Sequence, residues 1–500
     1  VQKYLTAFCQ AYDPHSAYMP LSSMDDFDIE MKLSLVGIGA VLSAEDGAAK
    51  IVELIQGGPA DLDKRESRLR PNDKIIAVGE GDKPAVDVLH WPLHKIVKLI
   101  RGEKGTKVVL IVVPASDPTG STTKTVDLIR DEVKLEKQAA SARYEEVKDS
   151  AGAARRIGIV TLPTFYANMR AGSMSDDDFK SSAYDVAKIL EEMSGKNVDG
   201  VILDLRNNGG GSLLEAIKLA GLFIGTGPIV EVKEKDRTPK VLKDLDPNIY
   251  DEGPLIVLVN RLSASASEIV AAALQDYGRA LVVGSSKTHG KGTVQTILAL
   301  ARDKKMGSIK VTTASYYRIN GKSTQLRGVT PDIVILSPFD YMEFGEEYLP
   351  NALDLSAETP AAYTPVRNLS VIVPALRERS EKRRADDPRF VAFARQLSRI
   401  EQINKTQELP LNLDERRALA KSEQEFSALE AELDPEGENP DPKARDTKHD
   451  LVLLETLRIM ADYVSLEKTD APPVESPAAA AAAEKKTLAQ SIAEWLLNRL

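Results

Sequence analysis

The strongest chemical signal in this chain is a run of serines, Ser263, Ser265 and Ser267, followed closely by Lys287, His289 and Lys291. A serine at a helix start sits at the positive end of the helix dipole, beside N–H groups that lack helical partners, and this suits a developing oxyanion. To attack a carbonyl it needs a base. His289 with Asp276 would complete a Ser/His/Asp triad, because triad order varies among folds. A lysine serves instead only if burial draws its pKa towards neutrality, and Gly290 and Gly292 leave the stem of Lys291 room in a close-packed site. Phosphate binding by Gly284 to Gly292 fails on spacing: five residues separate Gly284 from Gly290 where the phosphate loop has four, and Gly292 replaces the Ser or Thr that would hold magnesium. Taken alone, a capped helix and a basic turn would explain the same residues.

The elements around these residues are those of an α/β unit. Leu255 to Val259 is an apolar, β-branched run of strand length. After the serines, Glu268 stands near the first helical turn, Ile269, Ala272 and Ala273 continue the helical pattern to Gly278, and Leu281 to Val283 is a second strand. In such sheets chemistry collects at strand ends and helix N-termini. Upstream, Ile157 to Leu162 and Val198 to Leu205 read as strands, and Phe179, Ala183, Val186, Leu190 and Met193 mark a helix between them. The second strand runs into Asp204-Leu205-Arg206-Asn207-Asn208-Gly209-Gly210-Gly211-Ser212, which opens a helix at Leu213 to Phe223. That turn either cradles an anion or is a tight strand-to-helix connection.

Composition narrows the classes. Five hundred residues exceed one core, and 43% hydrophobic with 28% charged residues is ordinary for a globular protein. A net charge of -10 argues against nucleic acid as a partner. Cys9 is the lone cysteine, which excludes intramolecular disulfides and CxxC motifs. No apolar run approaches the ~20 residues of a membrane span. The chain starts at Val1 without a signal peptide and reads as a mature or truncated form.

The stretch SASASEIVAAALQDYGRALVVG followed by THGKGTVQ, together with DLRNNGGG, resembles the catalytic core of the C-terminal processing peptidases, the S41-type Ser/Lys proteases. The resemblance implies Ser265 as nucleophile, Lys291 as base and Gln295 as the residue that orients the lysine. It places Glu268, Asp276 and Thr288 in support, one oxyanion-hole N–H at Gly210 or Gly211, and a second at Ala266. The sequence departs from the family where His289 replaces a usual aromatic residue and where the loop from Gly284 to Lys291 is one residue longer, which keeps Lys287 as a rival base.

The same resemblance implies a multidomain α/β fold: a crotonase-like serine protease core at 156–345 with a PDZ domain at 31–115. In the latter, Leu35, Gly37, Ile38 and Gly39 would form the carboxylate-binding loop and lead into a strand that pairs with a peptide tail. A helix from Pro92 to Arg101, with Leu93, Ile96, Val97 and Ile100 on one face, would flank the groove, and the strand Lys107 to Val113 would close the domain. Residues 1–30, including the family-like DPHSAYM at Asp13 to Met19, read as the end of a truncated helical segment, in which His15 is a turn histidine before it is a metal ligand. Residues 116–155 read as connecting β structure and linker, and 346–466 as a helical region. There Leu419, Phe426, Leu429 and Leu433 form an apolar stripe, and the basic cluster Arg377 to Arg384 reads as a solvated face. Residues 467–500 combine a low-complexity linker with a terminal amphipathic segment. Its helical spacing of Leu488, Ile492, Trp495 and Leu496 competes with a reading of Leu500 as a tail for the chain's own groove.

The function this resemblance implies is that of a periplasmic serine endopeptidase. It would take proteins and peptides with apolar, unstructured C-termini, need no cofactor or metal, and have lipoprotein adaptors as a class of partner. The alternatives are a silent PDZ scaffold with a protease-like fold and, more distantly, an acyl-CoA enzyme of the crotonase kind. The intact pair Ser265 and Lys291 distinguishes the first from both.

Overall fold

The computed structural model describes residues 2–117, 119–167, 180–301, 306–405, 410–418, 420–421 and 450–470. Among them a six-stranded sheet runs in the order Ser141–Lys148, Ala154–Thr161, Gly200–Asp204, Leu255–Val259, Leu281–Gly284, Ile333–Val334. Its first pair is antiparallel and the others are parallel. Parallel strands with helices on both faces need apolar residues at every position. Accordingly Leu255, Val257 and Val259 enter a core with the helices Ser182–Gly195, Leu213–Ile224 and Ala266–Asp276, whereas Ile256 and Leu258 enter a second core. That second core is closed by the helices Val373–Asp386 and Leu451–Asp470, through Leu376, Leu453, Leu457, Met460 and Tyr463. The helix comes close to the sheet at Gly200, where a Cβ would lie 2.7 Å from Met460 Sδ.

An antiparallel sheet lies beside this core. Ser308–Tyr317 is its centre, flanked by Thr293–Ala299, by Gly227–Glu234 with Lys240–Asp244, and by Ala17–Met19 from the N-terminal segment. A bulge makes Val294 face Ala314 but Gln295 face Thr312. Bulges re-aim side chains, and here the buried Thr312 rather than the exposed Thr313 becomes the neighbour of Gln295.

The region expected to be a PDZ domain forms a third sheet, in the order Ala40–Glu45, Ala48–Leu54, Lys74–Glu80, Lys107–Val113, Lys124–Ile129, with Val86–Asp87 paired to the middle strand. The helix Leu93–Ile100 buries Ile96 and Ile100 in its core together with Ile38, Ile51 and Val108. Lys107–Val113 is therefore not the last strand. Residues 116–155 supply a strand to each of three sheets: Lys124–Ile129 here, Asp131–Lys134 in a ribbon with Ser34–Gly37, and Ser141–Lys148 in the six-stranded sheet. Charged residues on their exposed faces mask the buried Val126, Leu128 and Val133 in a reading by composition.

The basic cluster is a solvated face only in part: Arg377 and Lys382 are exposed, but Arg383 is not. Arg383 pairs with Glu455 at 2.8 Å and with Asp462, both fully buried on the helix Leu451–Asp470, and Arg377 donates to Asp332 O at 2.7 Å. Phe179, the stripe from Leu419 to Leu433 and the terminal segment from Leu488 to Leu500 lie outside the described residues.

Candidate active site

The strand Leu255–Val259 delivers the chain to Ser265, which precedes the helix Ala266–Asp276 with φ 57° and ψ −113°. A non-glycine residue is strained there, so its neighbours must hold it. Ser263 Oγ accepts from Asn260 N at 2.9 Å and donates to Leu205 O at 2.8 Å, and Ser267 Oγ donates to Asn208 O at 2.9 Å. Both outer serines are buried structural ties, while Ser265 keeps partial access to solvent.

Glu268, fully buried, organises the surroundings. Its Oε2 accepts from Ser265 N at 2.8 Å and Lys291 N at 3.0 Å; its Oε1 accepts from Thr288 Oγ1 at 2.6 Å and Gly290 N at 2.7 Å. One carboxylate oxygen thus holds the backbones of Ser265 and Lys291 together. Tyr316 repeats the link from the other side, donating its hydroxyl to Lys291 O and lying 3.4 Å from Ser265 O. Burial pushes the Glu268 carboxyl up to about 7, against the downward pull of Thr288, Gly290 and Ser265.

Lys291 follows the logic of a buried amine. Desolvation lowers its pKa to about 8 and Lys310 acts in the same direction, while Glu346, Glu268 and Asp13 oppose. Its Nζ donates to Gln295 Oε1 at 2.5 Å rather than to the Ser265 hydroxyl. Gln295 in turn donates from Nε2 to Thr293 Oγ1 at 2.9 Å and Thr312 Oγ1 at 3.0 Å.

The rival bases are otherwise engaged. Lys287 Nζ lies 2.8 Å from Glu347 Oε1 and donates to Leu326 O at 3.1 Å. His289 Nε2 is 3.4 Å from Glu346 Oε2, which also takes His15 Nε2 at 2.8 Å. Against burial, which would raise it, the hydrogen bonds from His15 and His289 hold the Glu346 carboxyl down to about 2. Asp276 sits at the far end of its helix, about 15 Å from Ser265 by helical rise, where it holds Arg318 at 2.6 Å and Asn320 at 2.7 Å. The triad of Ser265, His289 and Asp276 is therefore not assembled, and Asp276 anchors the helix rather than touching the reacting groups.

The glycine-rich turn abuts the serine. A Cβ on Gly210, whose φ is 106°, would lie 2.8 Å from Ser265 Cβ. Its N–H donates to Asn208 Oδ1 at 2.8 Å, which removes Gly210 from the oxyanion donors expected from sequence. Gly211 is exposed, and no acceptor for its N–H is found among the described residues. Ala266 is the first helical residue, so its N–H has no partner within the helix.

At the distant sheet, Leu35 faces Val133 and Gly37 faces Asp131 in the ribbon. Ile38 and Gly39 use their carbonyls to bind Ala60 N at 2.8 Å and Ile55 N at 2.9 Å; no acceptor for the N–H of either is found among the described residues. The strand Ala40–Glu45 that follows is an edge, next to the helix Leu93–Ile100. Sequence reasoning missed Asn208, Thr312, Tyr316, Glu346 and Gln325, which accepts from Gly292 N at 2.6 Å and donates to Glu346 Oε1 at 2.8 Å. Asn208 stood in the DLRNNGGG turn already associated with the core, but nothing in the spacing of any of them gave its role.

Residues 156–335 match Peptidase family S41, and residues 339–465 match the C-terminal domain of tail specific protease. The chain is 38% identical to the tail-specific protease of Haemophilus influenzae over 426 residues, 84% of this chain and 58% of that protein. To the carboxy-terminal processing protease CtpA of Bacillus subtilis it is 30% identical over 396 residues, 79% of this chain and 75% of that one. It is also similar to the peptide-bound PDZ domain of a carboxy-terminal protease from Vibrio cholerae, at 43% identity and a TM-score of 0.19, over 21% of this chain and all of that one. The chain spans little more than half the length of the H. influenzae relative.

Proposed function

Because the chain belongs to peptidase family S41, we propose that it is a serine endopeptidase of the C-terminal processing, tail-specific kind, with Ser265 as nucleophile and Lys291 as base. The observation that carries this reading is the Glu268 oxygen shared by the amides of Ser265 and Lys291, next to an amine whose burial favours its neutral form. In the proposed reaction Ser265 Oγ attacks the scissile carbonyl carbon while Lys291 Nζ takes its proton. The oxyanion is met by the N–H groups of Ala266 and Gly211. Lys291 returns the proton to the leaving amine as the C–N bond breaks, and then activates the water that releases the acyl group. Gln295 accepts a hydrogen bond from the lysine, so that the nitrogen lone pair is left for the serine.

Tail recognition is assigned to the edge strand Ala40–Glu45 and the N–H groups of Ile38 and Gly39, which would add the substrate as a strand and capture its carboxylate. The partly buried Leu42 and Leu93 of the same sheet-and-helix pair favour apolar side chains. The periplasm as compartment, the crotonase-like relationship of the core and a lipoprotein adaptor as partner rest on the family resemblance. No helix among the described residues is long and apolar enough to cross a membrane.

The test compares one unstructured substrate carrying an apolar C-terminal tail with the same substrate carrying an acidic tail. Cleavage of the first, much slower cleavage of the second, and none by Ser265→Ala or Lys291→Arg is the expected pattern, since arginine stays protonated. Tight binding of the apolar tail with no cleavage by the unaltered chain would leave the silent scaffold instead.

A further inference from the structure

Gln295 can assist Lys291 only if its amide presents oxygen, not nitrogen, to the amine; beside the local acceptor Thr293 Oγ1, what fixes that choice lies near the N-terminus of the chain. Its Nε2 meets Thr312 Oγ1 at 3.0 Å, and Thr312 Oγ1 meets Asp13 Oδ1 at 3.1 Å. Asp13, 1% exposed, is surrounded by donors: His15 N at 2.8 Å and Ser16 N at 3.1 Å on Oδ1, and Ser16 Oγ at 2.5 Å on Oδ2. A carboxylate accepts and does not donate, so the Thr312 hydroxyl must spend its one hydrogen on Asp13. Its oxygen is then left to accept from Gln295, which turns the amide so that Oε1 faces Lys291. The bulge that pairs Gln295 with Thr312 and the strand Ala17–Met19, which pairs Ala17 with Lys310, bring these groups into line.

We propose that Asp13 is a positioning residue for proteolysis: acting through Thr312, it sets the polarity of the Gln295 amide and thereby aims the Lys291 amine at Ser265. The N-terminal turn is then part of the catalytic apparatus, although it lies outside the residues matched to the peptidase family. The inference rests on Lys291 being the base.

The test measures kcat, KM and the pH dependence of kcat/KM for the full chain. Lys310, Glu346, Glu268 and Asp13 are the charged groups around Lys291, with His15 and His289 on Glu346. Thr312→Val keeps the shape of the side chain and leaves the Asp13 turn intact. It should lower kcat about tenfold or more with little change in KM, since misaimed groups lose rate rather than binding. Its ascending limb should move below the unaltered enzyme's, because an ammonium that loses an aligned acceptor is less stable. Thr312→Ser restores the hydroxyl and should restore both values. Asp13→Asn keeps an acceptor but removes a charge, so its limb should move the same way with a smaller loss in kcat. The double variant Asp13→Asn/Thr312→Val should be no worse than Thr312→Val alone. Unchanged kcat and an unmoved limb in Thr312→Val, with Lys291→Ala inactive, would overturn the relay and leave the Ser/Lys reading standing. Activity in Lys291→Ala would instead remove the premise.

Discussion

Replacing Lys291 with methionine should make the protein more stable, in a way that depends on pH. The experiment is best done in a Ser265→Ala background, where self-digestion cannot interfere. Folding buries an amine whose pKa falls from 10.5 to about 8, and at about 1.36 kcal/mol per tenfold the gap corresponds to about 3 kcal/mol of penalty at pH 7. Lys291 retains some surface contact and its bond to Gln295 contributes about 1 kcal/mol, so roughly 1.5–2 kcal/mol should remain for Lys291→Met. The sign follows from proton binding: between about 8 and 10.5 the unfolded chain holds more protons than the folded one, so the parent's stability rises with pH across that window. At pH 10 only about a quarter of the penalty is left, and the advantage of methionine should vanish. Thermal unfolding of the intact chain reads this directly, as a rise of about 1–4 °C at pH 7 and none at pH 10. An equal rise at both values would reduce the effect to apolar packing. No rise at pH 7 would mean that the amine is not desolvated, and the argument for a neutral base would fail with it.

Ser265→Ala should abolish hydrolysis without lowering the melting temperature, whereas Ser263→Ala orphans Asn260 N, leaves Leu205 O with Asn208 N as its donor, and should cost about 1–3 kcal/mol while sparing chemistry; the reverse pattern would move the nucleophile. Gly210→Ala places a methyl against Ser265 and should lower kcat about a hundredfold with KM nearly unchanged; a folded variant with the normal rate would refute the tight approach. Arg383→Leu leaves Glu455 and Asp462 under-compensated and should cost about 3 kcal/mol, seen as faster amide exchange in Leu451–Asp470; unchanged protection there would show that Arg379 and Arg458 suffice.

The strand Leu255–Val259 was legible residue for residue, because a parallel strand buried on both faces leaves an unbroken apolar run. Ser265, Glu268, Thr288 and Lys291 were legible as a group because they share one continuous stretch. Asp13, Thr312 and Glu346 were not, since their proximity depends on contacts between segments about three hundred residues apart, such as the pairing of Ala17 with Lys310, and carries no local pattern. Gly210 shows a subtler limit: a glycine-rich turn suggests free N–H groups, but whether Asn208 folds back to take one is decided by side-chain geometry. Likewise the partners of Arg383 lie on a helix far along the chain, so local charge balance pointed to water instead.

The helix Leu451–Asp470 supplies much of the apolar cover for the second face of the six-stranded sheet, yet it follows the family-matched core by more than a hundred residues. A ribosome releases the chain from its N-terminus, so Ile157, Ile202, Ile256, Leu258 and Val283 emerge long before the side chains that shield them. The second core cannot close until that helix has been made, although the first, which packs Ala266–Asp276, contains no residue of it. A chain that stops short of Leu451 therefore leaves Ile157, Ile202, Ile256, Leu258 and Val283 without that apolar cover, on the sheet whose other face carries the helix that Ser265 opens.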